Sequence, residues 1–190
     1  MKKDLNGKLT RGTQRTLDAF LGAMTSLLAE KPLIGISVNE LCERAGYPRA
    51  TFYNYFEDRD DLVVYCWTAL AGPVSAAELA SVESKLRVDA ALDAMADAME
   101  AHTDLLRAML EHNPPEGPLF SSLHTVIRDE ARELMRTCVE QDRCDLPAEL
   151  VADQYANTLM LVLDWAYLRG HTLTREQLHT YAHTLLGGVE

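Results

Sequence analysis

The sequence predicts an all-α fold: an N-terminal three-helix helix-turn-helix domain followed by a C-terminal helical domain, about nine helices in total. Three observations predict it. Apolar residues recur at i, i+3, i+4 and i+7 along most of the chain. No run of alternating β-branched residues is bounded by hairpin turns. Two short helical segments meet at a glycine turn around Gly46.

Each element follows from local pattern. Leu17, Phe20, Leu21, Met24, Leu27 and Leu28 make the stripe of a first helix over about 11–30, which Lys31-Pro32 ends. Ser37-Val38-Asn39-Glu40 reads as a capping box opening a second helix to about Arg44. Val38, Leu41 and Cys42 form its inner face, and Gly46 suits the left-handed turn that follows. Pro48 fits the first turn of a third helix, Arg49 to Tyr55, because no N–H is needed there. Phe52 and Phe56, four apart, bury one side of it, and Ala50 permits close approach. Asp58 caps a fourth helix with Leu62, Tyr65, Cys66, Ala69 and Leu70 inward, ended by Gly72-Pro73. Expected domains are 1–56, with 57–71 as a connecting helix, and 72–190.

Beyond residue 72, helices are expected over 75–85, 88–102 and 103–111. The loop Asn113-Pro114-Pro115-Glu116-Gly117-Pro118 then breaks the pattern. A long helix from Leu119 to about Gln141 follows, and Pro147 opens another that Gly170 ends. Thr174 and Gln177 form a second capping box for the last helix.

Charge is unevenly placed. The 190 residues carry a net charge of −11, yet Met1–Phe56 has eight Lys/Arg against five Asp/Glu, and Gly72–Glu190 has nine against twenty. A local basic field can meet a polyanion even when the whole chain is acidic. Lys2, Lys3, Lys8 and Arg11 are candidates for an arm on phosphate or minor groove; a solvated tail explains them equally. The charged start lacks an apolar stretch and no segment is long enough to span a bilayer, so a cytoplasmic protein without a membrane partner is expected. Cys42 and Cys66 fall on apolar helix faces as core residues; no two cysteines form a CxxC pair, and Cys138 and Cys144 read as structural thiols, with a redox switch as the alternative.

The most specific stretch is Ile36-Ser37-Val38-Asn39-Glu40-Leu41-Cys42-Glu43-Arg44-Ala45-Gly46-Tyr47-Pro48-Arg49-Ala50-Thr51-Phe52-Tyr53-Asn54-Tyr55-Phe56, followed by Arg59-Asp60-Asp61-Leu62. A recognition helix must be short, held on one side and exposed on the other. Here Arg49, Thr51, Tyr53, Asn54 and Tyr55 are left for the outer arc. Arg49 can pair with guanine or phosphate, and Asn54 can reach a base edge. The hydroxyls of Thr51, Tyr53 and Tyr55 suit phosphate oxygens.

Over about Arg11 to Leu70 the chain resembles TetR/AcrR-type (tetracycline-repressor-like) regulators. The resemblance implies a third helix in the major groove of operator DNA and a ligand-binding, dimerising remainder. It also implies that Arg59 stands where relatives carry a phosphate-contacting Lys. Pro48 departs from the Ser or Thr usual in the family, so the cap hydroxyl is lost. The implied partners are double-stranded operator DNA, an unknown small-molecule effector and a second copy of the chain.

Trp67, Met95, Met99, His102, Met109, Phe120, His124 and Trp165 are the pocket candidates, since methionines and aromatics line adaptable sites; each also suits an ordinary core. Leu159, Val162, Leu163, Ala166, Tyr167, Leu178, Tyr181 and Leu185 are expected to build a four-helix interface in a homodimer. No catalytic residues, cofactor or metal site are expected. His179 and His183 are four apart, but lack the intervening Glu of a zinc protease and read as helix surface. The function expected is a DNA-binding transcriptional regulator, a repressor released or modulated by its ligand. An activator of the same fold, or a helical binding protein whose helix-turn-helix no longer meets DNA, fits the same residues.

Overall fold

The structure, a computed structural model, describes residues 9–71, 82, 86–139 and 146–187. The expected arm residues Lys2, Lys3 and Lys8, the expected helix over 75–85, the Cys138 side chain and Cys144 lie outside them.

The described residues form nine α-helices and no strand: α1 (Arg11–Leu28), α2 (Val38–Ala45), α3 (Arg49–Tyr53), α4 (Arg59–Ala71), α5 (Arg87–Ala101), α6 (Thr103–Leu110), α7 (Pro118–Val139), α8 (Ala148–Leu163) and α9 (Arg175–Gly187). No described helix is long and apolar enough to cross a membrane. Two compact units result, one of residues up to 69 with 104–122, the other of 70–103 with residues from 123 onward. Compactness thus puts 104–122 with the amino-terminal helices, a cut other than the one expected at residues 71–72.

The chemistry of that segment accounts for its placement. Asn113 is 4% exposed and uses both ends of its amide. Its Oδ1 accepts the Leu33 N–H at 2.8 Å, and its Nδ2 donates to the carbonyls of Leu28 at 3.3 Å and Met109 at 3.0 Å. The Leu28 carbonyl ends α1 and the Leu33 N–H opens the turn after it, where helical partners run out; the Met109 carbonyl near the end of α6 also takes the Asn113 N–H at 2.9 Å. The buried Trp67 of α4 donates to Ser122 Oγ at 2.9 Å and to the Leu119 carbonyl at 3.3 Å, its ring beside Phe120.

Helix ends follow the caps. Thr10 Oγ1 accepts the Thr13 N–H, and α1 buries Leu17, Phe20, Met24, Leu27 and Leu28. Leu21, expected on that stripe, is only half-buried. Asp58 accepts the Asp61 N–H at 2.9 Å at the start of α4, whose buried residues are Leu62, Val63, Cys66 and Trp67. Ala69 is exposed there, against expectation. The Thr174–Gln177 box is complete, with Gln177 N–H on Thr174 Oγ1 and Thr174 N–H on Gln177 Oε1.

In the second unit, α8 runs into a π-helical turn over Asp164–Leu168, closed by the Arg169 N–H on the Asp164 carbonyl. The buried Asp164 carboxylate accepts from His124 Nε2 at 3.1 Å and from Arg169 Nε at 2.5 Å. A charged seam joins α5 to α9. Arg175 bonds Asp97 at 2.7 Å and Glu100 at 2.9 Å, and His179 places Nδ1 on Asp89 and Nε2 on Asp93. Burial opposes charge on His179, but the two carboxylates outweigh it and raise its pKa above the ordinary histidine value.

Candidate nucleic-acid interface

Helix α2 is fixed before α3 can be presented. Ser37 Oγ accepts the Glu40 N–H at 3.3 Å. The expected capping box is only half made, because the Glu40 carboxylate turns to Lys31 instead. Gly46, at φ 73°, closes the helix, with the Tyr47 N–H reaching back to the Cys42 carbonyl at 3.0 Å. This is a Schellman turn, which needs a residue free to enter the left-handed region. Arg44 forks onto both oxygens of Glu30 at 2.7 and 2.9 Å and reaches Ser26 at 2.7 Å, tying α2 to α1. That fork holds the Glu30 carboxyl at about 2. Two cations of this domain, Lys31 and Arg44, are therefore already paired.

Helix α3 is short and starts without a side-chain cap. Pro48 stands at the cap position, in extended backbone, rather than inside the first turn as expected. Its carbonyl accepts the Thr51 N–H at 2.9 Å. What fixes α3 is aromatic packing. Phe52 lies edge-on to Phe20 at 5.4 Å, and Phe56 stands 5.4 Å from Phe52 and 6.1 Å from Phe20. All three are fully buried, so the helix is anchored by area and by ring geometry together.

The opposite side faces solvent. Arg49, Tyr53 and Asn54 are exposed and Thr51 is half-buried. Arg49 lies over the Tyr53 ring, 5.7 Å from its centroid, and donates to its hydroxyl at 3.1 Å. Guanidinium and phenol thus stand together one turn apart, with the Asn54 amide next along the chain.

Three expected residues are placed differently. Tyr55 is 6% exposed and packs on Phe56, so it faces the core and not the outer arc. Position 55 follows the end of α3, where helical phase no longer governs direction. Ala50, expected to allow close packing, is exposed. Arg59 donates to the carbonyls of Leu33 at 3.0 Å and Ile36 at 3.2 Å and pairs with Asp60 at 3.0 Å. Its guanidinium holds the loop before α2 rather than standing ready for phosphate. Sequence could not show this, since the acceptors are backbone atoms.

The pocket candidates fall into two groups. Trp67, Met109 and Phe120 are core of the first unit, while Met95 and Met99 are buried in the second. His102 Nε2 meets the Leu70 carbonyl at 3.1 Å, and His124 meets Asp164. Trp165 is 43% exposed and stacks on His171 at 3.8 Å.

The expected dimer face also needs correction. Leu159, Val162, Leu163 and Leu178 are buried within the protomer, and Tyr167 donates to Glu100 Oε1 at 2.7 Å; Ala166 is half-buried. Besides Leu150 near the start of α8, the outward large apolar residues of α8, the π turn and α9 are Leu161, Trp165, Tyr181 and Leu185, each 40–51% exposed. With Val162, Thr180 and Thr184 they line a groove of about 640 Å³. Tyr181 and Leu185 stand as expected on the exposed side. Leu161 lies outside the expected set, and Trp165 faces outward rather than into a pocket.

A braced helix, a left-handed glycine turn and a short second helix with one buried and one polar side define the class: a helix-turn-helix regulator fold. Residues 21–66 match the family described as bacterial regulatory proteins, tetR family. No curated protein sequence matches the chain significantly. Among solved structures, a TetR-family regulator from Streptomyces coelicolor is similar at 15% identity and TM-score 0.61, covering 95% of this chain and 98% of that one. The transcriptional regulator FadR from Bacillus subtilis, in complex with stearoyl-CoA, is similar at 11% identity and TM-score 0.64, covering 91% and 99%. A TetR/AcrR-family regulator from Thermobifida fusca is similar at 16% identity and TM-score 0.53, covering 92% and 98%. At such identities the likeness is one of fold. Residues 21–66 carry the tetR-family sequence pattern, and the described residues share the all-helical fold of TetR-family regulators.

Proposed function

We propose that this chain is a cytoplasmic, non-enzymatic regulator that binds a palindromic operator as a homodimer and represses transcription until a small-molecule effector releases it. The observation that carries this reading is the exposed row of Arg49, Tyr53 and Asn54 on a helix locked from behind by Phe20, Phe52 and Phe56. Arg49 and Asn54 are the base-reading side chains. Tyr53 orients Arg49 and contacts phosphate, with Thr51 beside it.

Selection of bound duplexes from a random pool tests this. A two-fold symmetric site should emerge, with half-sites one helical turn apart, about 34–36 Å. Asn54→Ala should relax preference at one base pair by about 1–3 kcal/mol, and Tyr53→Ala should weaken all duplexes alike. Absence of any enriched sequence would favour the helical binding protein without DNA contact. A reporter gene downstream of the recovered site separates repressor from activator.

For the effector, the buried Met95 and Met99 of the second unit supply adaptable apolar walls. Fatty acyl-CoA thioesters belong in a thermal-shift panel because the FadR neighbour was seen with one. A true effector at a hundred times its Kd stabilises by about 2.7 kcal/mol.

A further inference from the structure

We propose that Asp89, His179 and His183 form a binding site for a divalent transition-metal ion of the zinc class, with Asp93 orienting His179 from behind. The two histidines are one turn apart on α9, and Asp89 and Asp93 are one turn apart on α5. His179 Nδ1 stands 2.9 Å, and His183 Nε2 2.7 Å, from the same oxygen of Asp89. The three ligand atoms all lie within 4.8 Å of one another. Ligands around a tetrahedral zinc, with bonds of about 2.0–2.2 Å, stand about 3.3 Å apart. Lengthening the two Asp89 edges by about half an ångström, with the histidine nitrogens already no more than 4.8 Å apart, brings the three atoms to that spacing.

The second contact of His179 distinguishes this cluster from a chance group of side chains. Its Nε2 is 2.8 Å from Asp93 Oδ1. A ligating histidine characteristically donates its remote N–H to a carboxylate, which fixes the tautomer and strengthens the donor. The field also suits a cation. Asp89, Asp93, Asp97 and Glu100 line the seam, and Arg175 spends its charge on the last three. Two imidazoles and one carboxylate select zinc, cobalt or nickel over magnesium or calcium, which take oxygen ligands. Three protein ligands leave the fourth position to water, so the ion would exchange. Bound there, it joins α5 to α9 within the second unit.

The test is titration of the full chain with Co²⁺, followed by Zn²⁺. Visible bands of low-coordinate cobalt should saturate at one equivalent and vanish on adding zinc. His183→Ala, at a half-exposed helix-surface position that the fold does not need, should abolish the bands with an unchanged helical circular dichroism. Asp93→Ala should weaken binding roughly ten- to a hundredfold, and His112→Ala, an exposed histidine elsewhere, should leave it unchanged. Wild-type protein without cobalt bands, or equal affinity in wild type and His183→Ala, would overturn the proposal.

Discussion

Asn113 does at one position what a cap does at a helix end. Its amide supplies partners to the Leu28 carbonyl and the Leu33 N–H, adds a bond to the Met109 carbonyl, and is almost wholly out of water. Removing it strands the Leu33 N–H and the Leu28 carbonyl without solvent to take them, while the Met109 carbonyl keeps the His112 and Asn113 N–H groups. Asn113→Ala should therefore lower stability by about 1–3 kcal/mol, read as a shift in urea midpoint at constant slope; an unshifted midpoint would show that water replaces the side chain at no cost. In the sequence Asn113 is legible only as the first residue of a loop. Two of its partners lie 80 and 85 residues away, and no local pattern encodes them. The same limit hid Asp89, 90 and 94 residues from the histidines it joins, and the carbonyls that hold Arg59. Arg49, Tyr53 and Asn54 were legible because a five-residue helix with one phenylalanine anchor leaves few directions for the rest.

At the scale of elements, the turn between α2 and α3 is the strictest demand on sequence. Gly46 sits at φ 73°, where nothing crowds a Cβ but the backbone itself resists one. Gly46→Ala should cost about 1–2 kcal/mol and reorient α3, so duplex affinity should fall more than stability alone explains. A second prediction concerns the brace behind that turn. Arg44 holds the Glu30 carboxyl at about 2, against an ordinary 4.5. A depressed carboxyl contributes stability that is present above the unfolded value and is lost as pH falls from about 4.5 to 2. The stability gap between wild type and Glu30→Gln should close across that window and narrow in high salt, because the pair is exposed; a gap constant with pH would assign the difference to something other than charge. Helix positions were read well where one face alone is apolar, as in α1. They were misphased in α8, where Leu159, Met160, Leu161, Val162 and Leu163 run consecutively. An uninterrupted apolar run gives no direction, so the expected interface falls on the protomer's own core.

The consequence reaches the whole molecule. A protomer that shows Leu161, Trp165, Tyr181 and Leu185 to water exposes a contiguous apolar patch of the kind that marks an association surface. A second copy can cover it, α8 and α9 of each protomer meeting their counterparts about a two-fold axis, with an expected burial near 800 Å² per partner. The same axis would relate two α3 helices to the two halves of a palindrome. On the proposed function each half-site alone would bind weakly, and joining two would make the second contact intramolecular. The double substitution Trp165→Glu with Leu185→Glu places charge on this patch without touching the core, so the monomer should keep its helical spectrum. Light scattering at micromolar concentration should give a dimer for the natural chain and a monomer for the variant. Operator affinity of the variant should drop by about a hundredfold or more, in line with lost bivalency, while its weak binding to a single half-site persists. A natural chain that is monomeric under these conditions, or a variant that still dimerises, would move the interface elsewhere and remove the geometric basis for a palindromic operator.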